Sequence, residues 1–526
     1  MRTIEIFDSM LRDGAQGEGV AFSVIDKLNI VKALDAFGVD YIEAGNPGSN
    51  PKDIEFFQQV HDLKLKHAKL CAFGSTCRKG KMPQDDSNVR SLMDAKTDAV
   101  AIFGKSWDLH VRKVLNAALE ENLRLVKDTV AYFKNEGKEV IFDAEHFFDG
   151  YKANPAYAMQ VLEAADAAGA DVLCLCDTNG GAMPDFIQNI VQEVCKVFPQ
   201  QRIGIHCHND IGCAVASSMS AVAAGAVQVQ GTFIGIGERC GNADLSTLIP
   251  NLKLKMGLAC SGDLPMLRDT ASRLSEICNM RLHRNKPYVG ESAFAHKGGM
   301  HIDGVAKVSR SFEHIPPETV GNARRFLMSE VSGRTTVLAK IAAIAPELSK
   351  DSPEVAQIVQ KTKAMEHNGY QFESADASFE LVALKILNRY TPHFKLGMYR
   401  TSGEFPHPDE NQSASAMLSV QVGDAQETTA TMGNGPVHAL DTALRKALMV
   451  FYPQLSKVRL VDYKVRVLTG KAATASRVRV LIESSDGELD WTTTGVSTDI
   501  IAASWEALSD SIEYYLHQKE GTSSCL

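Results

Sequence analysis

The sequence predicts a (β/α)8 barrel, then a helical connector, then a C-terminal α+β domain made of a duplicated βββα unit. Three observations carry this. Short apolar, β-branched runs recur about every 25–40 residues through the first half, separated by segments of helical period. The chemistry-bearing residues sit at the C-terminal ends of those runs, where such a barrel places its site. Beyond about residue 376 the texture changes to alternating strands and two amphipathic helices.

Taken in order, the predicted strands are Thr3–Asp8, Asp40–Gly45, Ala68–Gly74, Asp98–Gly104, Glu139–Glu145, Asp171–Thr178, Arg202–Asn209 and Ala226–Thr232. Between them lie SVIDKLNIVKALDAFG, DLHVRKVLNAALEENLRLVKDTVAYFKNEG, PAYAMQVLEAADAAGA and PDFIQNIVQEVCKVF, each with helical period. Pro155 and Pro184 stand where helices should start, and Gly38, Gly137 and Gly169 stand just past helix ends. Eight such units in roughly 250 residues fit a closed barrel, with a doubly wound open sheet as the rival arrangement.

The predicted domains are a barrel over 1–260, a helical connector over 261–375 and a regulatory domain over 376–526. The connector carries MLRDTASRLSEICNM, SGRTTVLAKIAAIAPEL and SPEVAQIVQKTKAMEHNG as helices. In the tail, FELVALKILNRY, SASAMLSVQV, QETTATMG, VRLVDYKVRVL, SRVRVLIES and LDWTTTG read as strands. HALDTALRKALMVFY and DIIAASWEALSDSIEYYL read as helices. TTATMGNGPVHALDTAL matches DWTTTGVSTDIIAASWEAL in shape, which points to duplication and a dimer module.

Composition bounds the function. With 526 residues, 44% hydrophobic and 23% charged, the chain has the make-up of a globular protein of several domains. A net charge of −9 gives no basic surplus for nucleic acid. No apolar run approaches the ~18–20 residues of a membrane span. MRTIEIFDSMLRDG has neither a signal-peptide nor a transit-peptide character, so a cytoplasmic protein is expected. Of 11 cysteines, all but Cys525 precede residue 280, many in apolar strands, which reads as reduced, buried thiols. Cys174 and Cys176 form a Cys-x-Cys with no second pair at zinc spacing.

The sharpest chemical signal is GIHCHND. His206 and His208 are two apart on a strand, so both imidazoles project to one face. In a closed barrel the first and seventh strands both border the eighth, so Asp13 can reach over as an anionic third ligand and Asn242 as a carbonyl donor. That N2O2 set, with open positions, suits Mg, Mn or Zn and a chelating substrate. GIGERCG resembles a dinucleotide loop, but its spacing is Gly-x-Gly-x-x-x-Gly and it opens no βαβ unit. HKGGMH, with His296 and His301, reads as a glycine-rich mobile loop.

Together FDSMLRDGAQ, HCHND and GERCGNADL resemble the acyl-CoA-dependent α-keto-acid synthases of the DRE-TIM metallolyase group, namely the isopropylmalate, homocitrate and citramalate synthases. IFGKSWDLHV, FDAEHFFDG, CDTNGG, AFAHKGGMHIDG and VGNARRFLMSEVSGR are similar to the long-form citramalate synthases, so the resemblance spans nearly the whole chain. It implies a Claisen-type condensation of acetyl-CoA with a short α-keto acid, pyruvate first, followed by thioester hydrolysis. Asp13, His206 and His208 would hold the metal, with Asn242 in or beside the shell and Glu43 behind it. Arg12 would stabilise the developing alkoxide and Thr178 would hold the keto-acid carboxylate, in a pocket near Phe103 and Asp143. Glu145 and His301 would be the acid/base pair, with His301 arriving from a partner subunit of a homodimer. The tail would bind isoleucine or leucine as feedback inhibitor of isoleucine synthesis. Gly433, Gly435, Gly495 and Ser497, read as turns before helix N-termini, are candidates for its carboxylate, or close turns only.

Two departures stand out. The family usually reads Asp-Thr-Thr where this chain has Asp8, Ser9 and Met10, which alters packing beneath the site. Phe312 stands where relatives commonly carry Tyr, removing a hydroxyl from the acid/base step, with His314 nearby. The competing functions are an isopropylmalate or homocitrate synthase, a lyase or carboxyltransferase on the same barrel, and a non-catalytic amino-acid-binding protein. No Lys in the strand runs offers to hold a carbamate, which disfavours the carboxyltransferase. The intact Arg12, Asp13, His206 and His208 set disfavours the binding protein.

Overall fold

A computed structural model describes residues 3–48, 50–328, 332–403, 413–468 and 475–523. The chain divides into two compact units, Met1–Phe294 with Ile315–Ala323, and Ala295–His314 with Arg324–Leu526.

The first unit is a closed parallel barrel. Its strands are β1 (Thr3–Asp8), β2 (Tyr41–Gly45), β3 (Lys69–Ser75), β4 (Ala99–Lys105), β5 (Glu139–Glu145), β6 (Val172–Asp177), β7 (Arg202–Cys207) and β8 (Gln228–Gly231). Each pairs with its successor, and β1 pairs with both β8 and β2 to close the ring. A short β9 (Ala259–Cys260) adds to β1. These strands read as near-continuous apolar runs because both faces are covered. One core lies between strands and helices, with Ile4, Ile6, Val100, Ile102, Leu173 and Ile205 fully or almost fully buried. A second fills the lumen: Phe7, Tyr41, Cys71, Ala99, Ala101, Ile141, Val172, Cys174 and Cys176. Burial pushes the Cys71 and Cys174 thiols well up, which keeps them protonated. All ten described cysteines are free; Cys240 is exposed.

The helices on the barrel are α1 (Val24–Phe37), α2 (Pro51–Val60), α3 (Ser87–Asp94), α4 (Asp108–Lys113), α5 (Leu119–Asn135), α6 (Phe147–Ala153), α7 (Pro155–Ala167), α8 (Pro184–Val197), α9 (Ala214–Ala224), α10 (Leu245–Pro250) and α11 (Leu267–Ile277). Pro155 and Pro184 occupy first-turn positions as expected. The segment read as one helical stretch over 108–137 is two helices, α4 and α5. Asn116 between them has φ +51°, a left-handed conformation that ends one helix and re-aims the chain.

The second unit begins with β10 (Ala295–His296), paired with β11 (Arg325–Phe326), and α12 (Gly299–Lys307). His301 therefore lies on a helix, which corrects the loop expected from its glycines. Ile302 and Val305 are buried along α12 and anchor that turn despite Gly299 and Gly304. Then come α13 (Arg334–Ile341), α14 (Pro353–His367) and α15 (Asp376–Ile386). The last corrects FELVALKI from strand to helix: Ala377, Ser378, Phe379 and Leu381–Leu384 are all buried, so burial on nearly every side hides the helical period.

The duplication is present. β12 (Lys395–Gly403), β13 (Ala414–Val422) and β14 (Ala425–Gly433) form one antiparallel sheet, followed by α16 (Pro436–Leu448). β15 (Arg459–Val467), β16 (Val478–Ser485) and β17 (Asp490–Ser497) form the other, followed by α17 (Ile500–Ser523). The first strand of each carries a register shift near its start, at Leu396/Met398 and at Leu460/Asp462. Both halves share one core, with Leu418, Leu444, Ile482 and Leu508 in contact range of a common cluster. Gly433, Gly495 and Ser497 sit in strands rather than turns. A Cβ on Gly433 would lie 2.6 Å from Ala439 N, and one on Gly495 2.1 Å from Ala503 O, so both let a helix press against its sheet. Gly435 has open space and Ser497 Oγ accepts from Asp499 N at 3.1 Å. No helix among the described residues is long and apolar enough to cross a membrane.

Candidate active site

The site is built from the turn after β1. Asp8 ends the strand and accepts from Met10 N at 2.9 Å, while Arg12 N and Gly14 N both donate to Ser9 O. This tight turn brings Arg12 and Asp13 back over the barrel mouth. Asp13 Oδ2 lies 3.7 Å from His206 Nε2 and 3.5 Å from His208 Nε2, and all three residues are buried. Asn242 Nδ2 donates to Asp13 Oδ1 at 2.9 Å.

The loop after β8 is held against β7. His208 and Asn242 form an isolated bridge, Asn209 N donates to Gly241 O, and Ala243 N donates to Cys207 O. Here the glycines of GIGERCG find their use. Gly237 has φ +153°, and a Cβ there would lie 2.2 Å from Asn242 Nδ2 and 3.1 Å from Asp13 Oδ1.

Arg12 joins the metal-type cluster to a buried carboxylate. Its Nε donates to Glu43 Oε2 at 2.7 Å and its Nη1 to Asp13 Oδ2 at 2.7 Å. The guanidinium carbon also lies 4.0 Å from the Phe73 ring centroid, and Phe73 stacks on Phe103 at 5.3 Å. Ser9 Oγ donates to the same Glu43 oxygen, so the departure at Ser9 touches the site's carboxylate as well as its packing. Gln230 bridges the other side, its Nε2 donating to Asp143 Oδ1 at 3.0 Å and its Oε1 facing His206 Nδ1 at 3.0 Å.

The electrostatics follow from burial and neighbours. Burial opposes the Arg12 charge, but Glu43 and Asp13 outweigh it and hold the guanidinium protonated. Burial also works against the Asp13 carboxylate, yet Arg12, His208 and His206 hold its pKa well below the usual range. Burial, then the neighbouring His208, lowers His206 to about 3, which leaves it neutral. Burial, reinforced by Glu43, raises Asp143 to about 7, and burial raises Glu43 as well. A neutral imidazole and an ionised Asp are the forms a divalent cation needs. Asn242 Oδ1 is buried with no hydrogen-bond partner among the described residues, while its Nδ2 is held on Asp13, so an unused ligand oxygen lies beside the trio. The residues present therefore fit a metal.

Further round the mouth, Glu145 pairs with Lys105 across β4 and β5. Thr178 Oγ1 accepts from His146 N at 2.9 Å, which leaves its own proton to donate. Arg239 holds the Thr178 carbonyl at 2.7 Å while paired with Asp210.

Nearly the whole length of the chain has known counterparts. Residues 3–280 match the HMGL-like family model, 288–370 the homocitrate synthase post-HMGL domain-like model, and 373–516 the LeuA allosteric (dimerisation) domain model. The (R)-citramalate synthase of Geobacter sulfurreducens is 49% identical over 522 residues, covering 99% of each chain. That of Aquifex aeolicus is 50% identical over 519 residues, covering 98% of each. The chain belongs to the (R)-citramalate synthase family. A 2-isopropylmalate synthase of Methanocaldococcus jannaschii is more distant, at 31% over 98% of this chain and 95% of that protein.

Of the residues expected in a citramalate synthase site, the first unit brings together Arg12, Asp13, Glu43, His206, His208 and Asn242, with Asp143 tied in through Gln230. Phe103 lies within β4, two residues before its end, Glu145 ends β5 and Thr178 follows β6 of the same barrel. His301 belongs to the second unit, exposed, with its ring stacked on Phe312 at 4.2 Å. Gly304 makes room for that ring, since a Cβ there would lie 2.6 Å from Phe312 Cε2. Sequence reasoning missed Phe73, Lys105 and Gln230. Phe73 and Gln230 share a signal, the alternate strand positions that face the lumen.

Proposed function

We propose that this chain condenses acetyl-CoA with pyruvate to give (R)-citramalate and free CoA. The observation that supports this most is the 49–50% identity to citramalate synthases over nearly the full length of both chains. The intact Arg12, Asp13, His206, His208 and Asn242 cluster supports it chemically.

Asp13, His206 and His208 would hold a divalent cation, Mg, Mn or Zn, with Asn242 in or beside the shell. When bound, that cation would supply positive charge beside the keto oxygen. The Thr178 hydroxyl, already accepting from His146 N, has its proton to offer the pyruvate carboxylate. Glu145 and His301 form the acid/base pair, His301 from the partner subunit of a homodimer. A methyl proton leaves acetyl-CoA, the carbanion's electron pair forms the new C–C bond to the ketone carbon, and the former carbonyl oxygen gains a proton. Arg12 lies where it can stabilise the charge on that oxygen before protonation, and Glu43 with Ser9 holds the guanidinium. Water then cleaves the thioester, giving the second carboxylate and the CoA thiol. Phe73 and Phe103, stacked beside Arg12, give the substrate's small apolar end a wall.

The duplicated tail takes isoleucine or leucine as feedback effector in isoleucine synthesis, in the cytoplasm. The match to an allosteric dimerisation model supports a regulatory role for the tail. The test is thiol release from acetyl-CoA with pyruvate, 2-ketoisovalerate and 2-oxoglutarate, each with and without isoleucine or leucine. Pyruvate is expected to be preferred and one amino acid to inhibit. Preference for 2-ketoisovalerate would make the chain an isopropylmalate synthase, and for 2-oxoglutarate a homocitrate synthase.

A further inference from the structure

We infer that Gln230 is a positioning residue that fixes which ring nitrogen of His206 carries the proton, and that Asp143 in turn fixes Gln230. Gln230 is fully buried on β8 and is the register partner of His206 on β7. A glutamine amide is two-ended, with a carbonyl that only accepts and an NH2 that only donates. At one end Gln230 Nε2 donates to Asp143 Oδ1 at 3.0 Å. With Oδ1 accepting, whether Asp143 is ionised or carries its proton on Oδ2, the NH2 is held toward that oxygen. The carbonyl is therefore left facing His206 Nδ1, 3.0 Å away. A carbonyl opposite Nδ1 requires a proton on Nδ1, so Nε2 carries the lone pair. Nε2 is the atom that faces Asp13 Oδ2.

The two imidazoles are thus prepared differently. His208 Nδ1 has no hydrogen-bond partner among the described residues, while its Nε2 faces Asp13 Oδ2 at 3.5 Å, so no acceptor holds a proton on Nδ1. His206 has its tautomer selected before any cation arrives. The relay also ties a ligand of the proposed metal to Asp143, on the far side of Gln230. This rests on the reading that Asp13, His206 and His208 bind a divalent cation.

Two measurements test it on the full-length protein. The first is 15N NMR of histidine-labelled, metal-free wild type, with the His206 signals assigned by their loss in His206→Gln. The proton is expected on Nδ1, and a proton on Nε2 would overturn the inference without bearing on whether metal binds. The second is Mn2+ titration, followed by electron paramagnetic resonance, of wild type and Gln230→Leu. Loss of such an orienting partner is expected to weaken Mn2+ binding by about 10–100-fold. Equal binding by both proteins, with the His206 tautomer unchanged in Gln230→Leu, would overturn the inference while leaving the metal site standing. A wild type that binds no Mn2+ would instead remove the metal reading, and the tautomer would still decide this one.

Discussion

Arg12 Nη1 lies 2.7 Å from Asp13 Oδ2, the oxygen that also faces His206 and His208. One carboxylate oxygen therefore serves both the guanidinium and the metal-type pair, and Arg12 Nε is committed to Glu43. A lysine has one ammonium and no planar fork, so it cannot hold both carboxylates in this geometry. Arg12→Lys is expected to lower kcat by about 10²–10³-fold while Mn2+ binding changes far less. Steady-state thiol release beside a Mn2+ titration checks this; a near-wild-type kcat would remove Arg12 from charge stabilisation.

His206→Ala and His301→Ala should separate two losses. The first removes a ligand from the buried trio and is expected to lose metal and turnover together. The second sits on a helix of the other unit and is expected to keep the metal and lose turnover. Metal content by elemental analysis, measured with thiol release, distinguishes them, and retained turnover in His301→Ala would show that it is not in the acid/base pair.

Asp8 carries a pH dependence of stability. Burial raises its carboxyl to about 7 in the folded chain, against 3.8 for the free group. A raised acid favours the native state fully below the unfolded pKa, and that contribution is lost as pH rises through the folded value. Asp8→Asn keeps an acceptor for Met10 N and cannot ionise. The variant is expected to gain on wild type between about pH 4 and pH 7, by on the order of a few kcal/mol, and to hold that gain above it. His206 titrates with the opposite sign, so the difference between variant and wild type is the quantity to follow, from the barrel's thermal midpoint. An equal pH profile for both proteins would mean that Asp8 is ionised throughout.

The glycines of the duplicated unit predict a contrast within one motif. Gly495→Ala would drive a Cβ to 2.1 Å from Ala503 O, and Gly433→Ala to 2.6 Å from Ala439 N. Either is expected to destabilise the second unit by about 1–3 kcal/mol through overpacking. Gly435→Ala meets open space and should stay within about 0.5 kcal/mol of wild type. Differential scanning calorimetry reads all three; equal melting would show that the helices do not press on their sheets at those points.

The barrel was legible because strands covered on both faces must be apolar along their whole length, and because each ends in the residues it presents. The metal-type trio was legible for the same reason: His206 and His208 share a strand face, and barrel closure supplies Asp13. Where apolar residues surround an element, as along Phe379–Leu384, the period that separates helix from strand disappears. β12 was missed for the opposite reason, since KLGMYRTSG is largely exposed and hardly alternates in hydrophobicity. Alternation along β8 could place Gln230 on the lumen face, but neither it nor Ser9 announced a role, because that role lies in the partners they meet, 24 and 34 residues away in sequence.

The most direct measurement is thiol release from acetyl-CoA and pyruvate before chelation, after it, and after adding back Mg2+, Mn2+ or Zn2+, on wild type and His206→Ala. The expected result is release by wild type that chelation abolishes and one cation restores, with none from His206→Ala under any condition. Release that persists through chelation, or that survives in His206→Ala, would contradict the account.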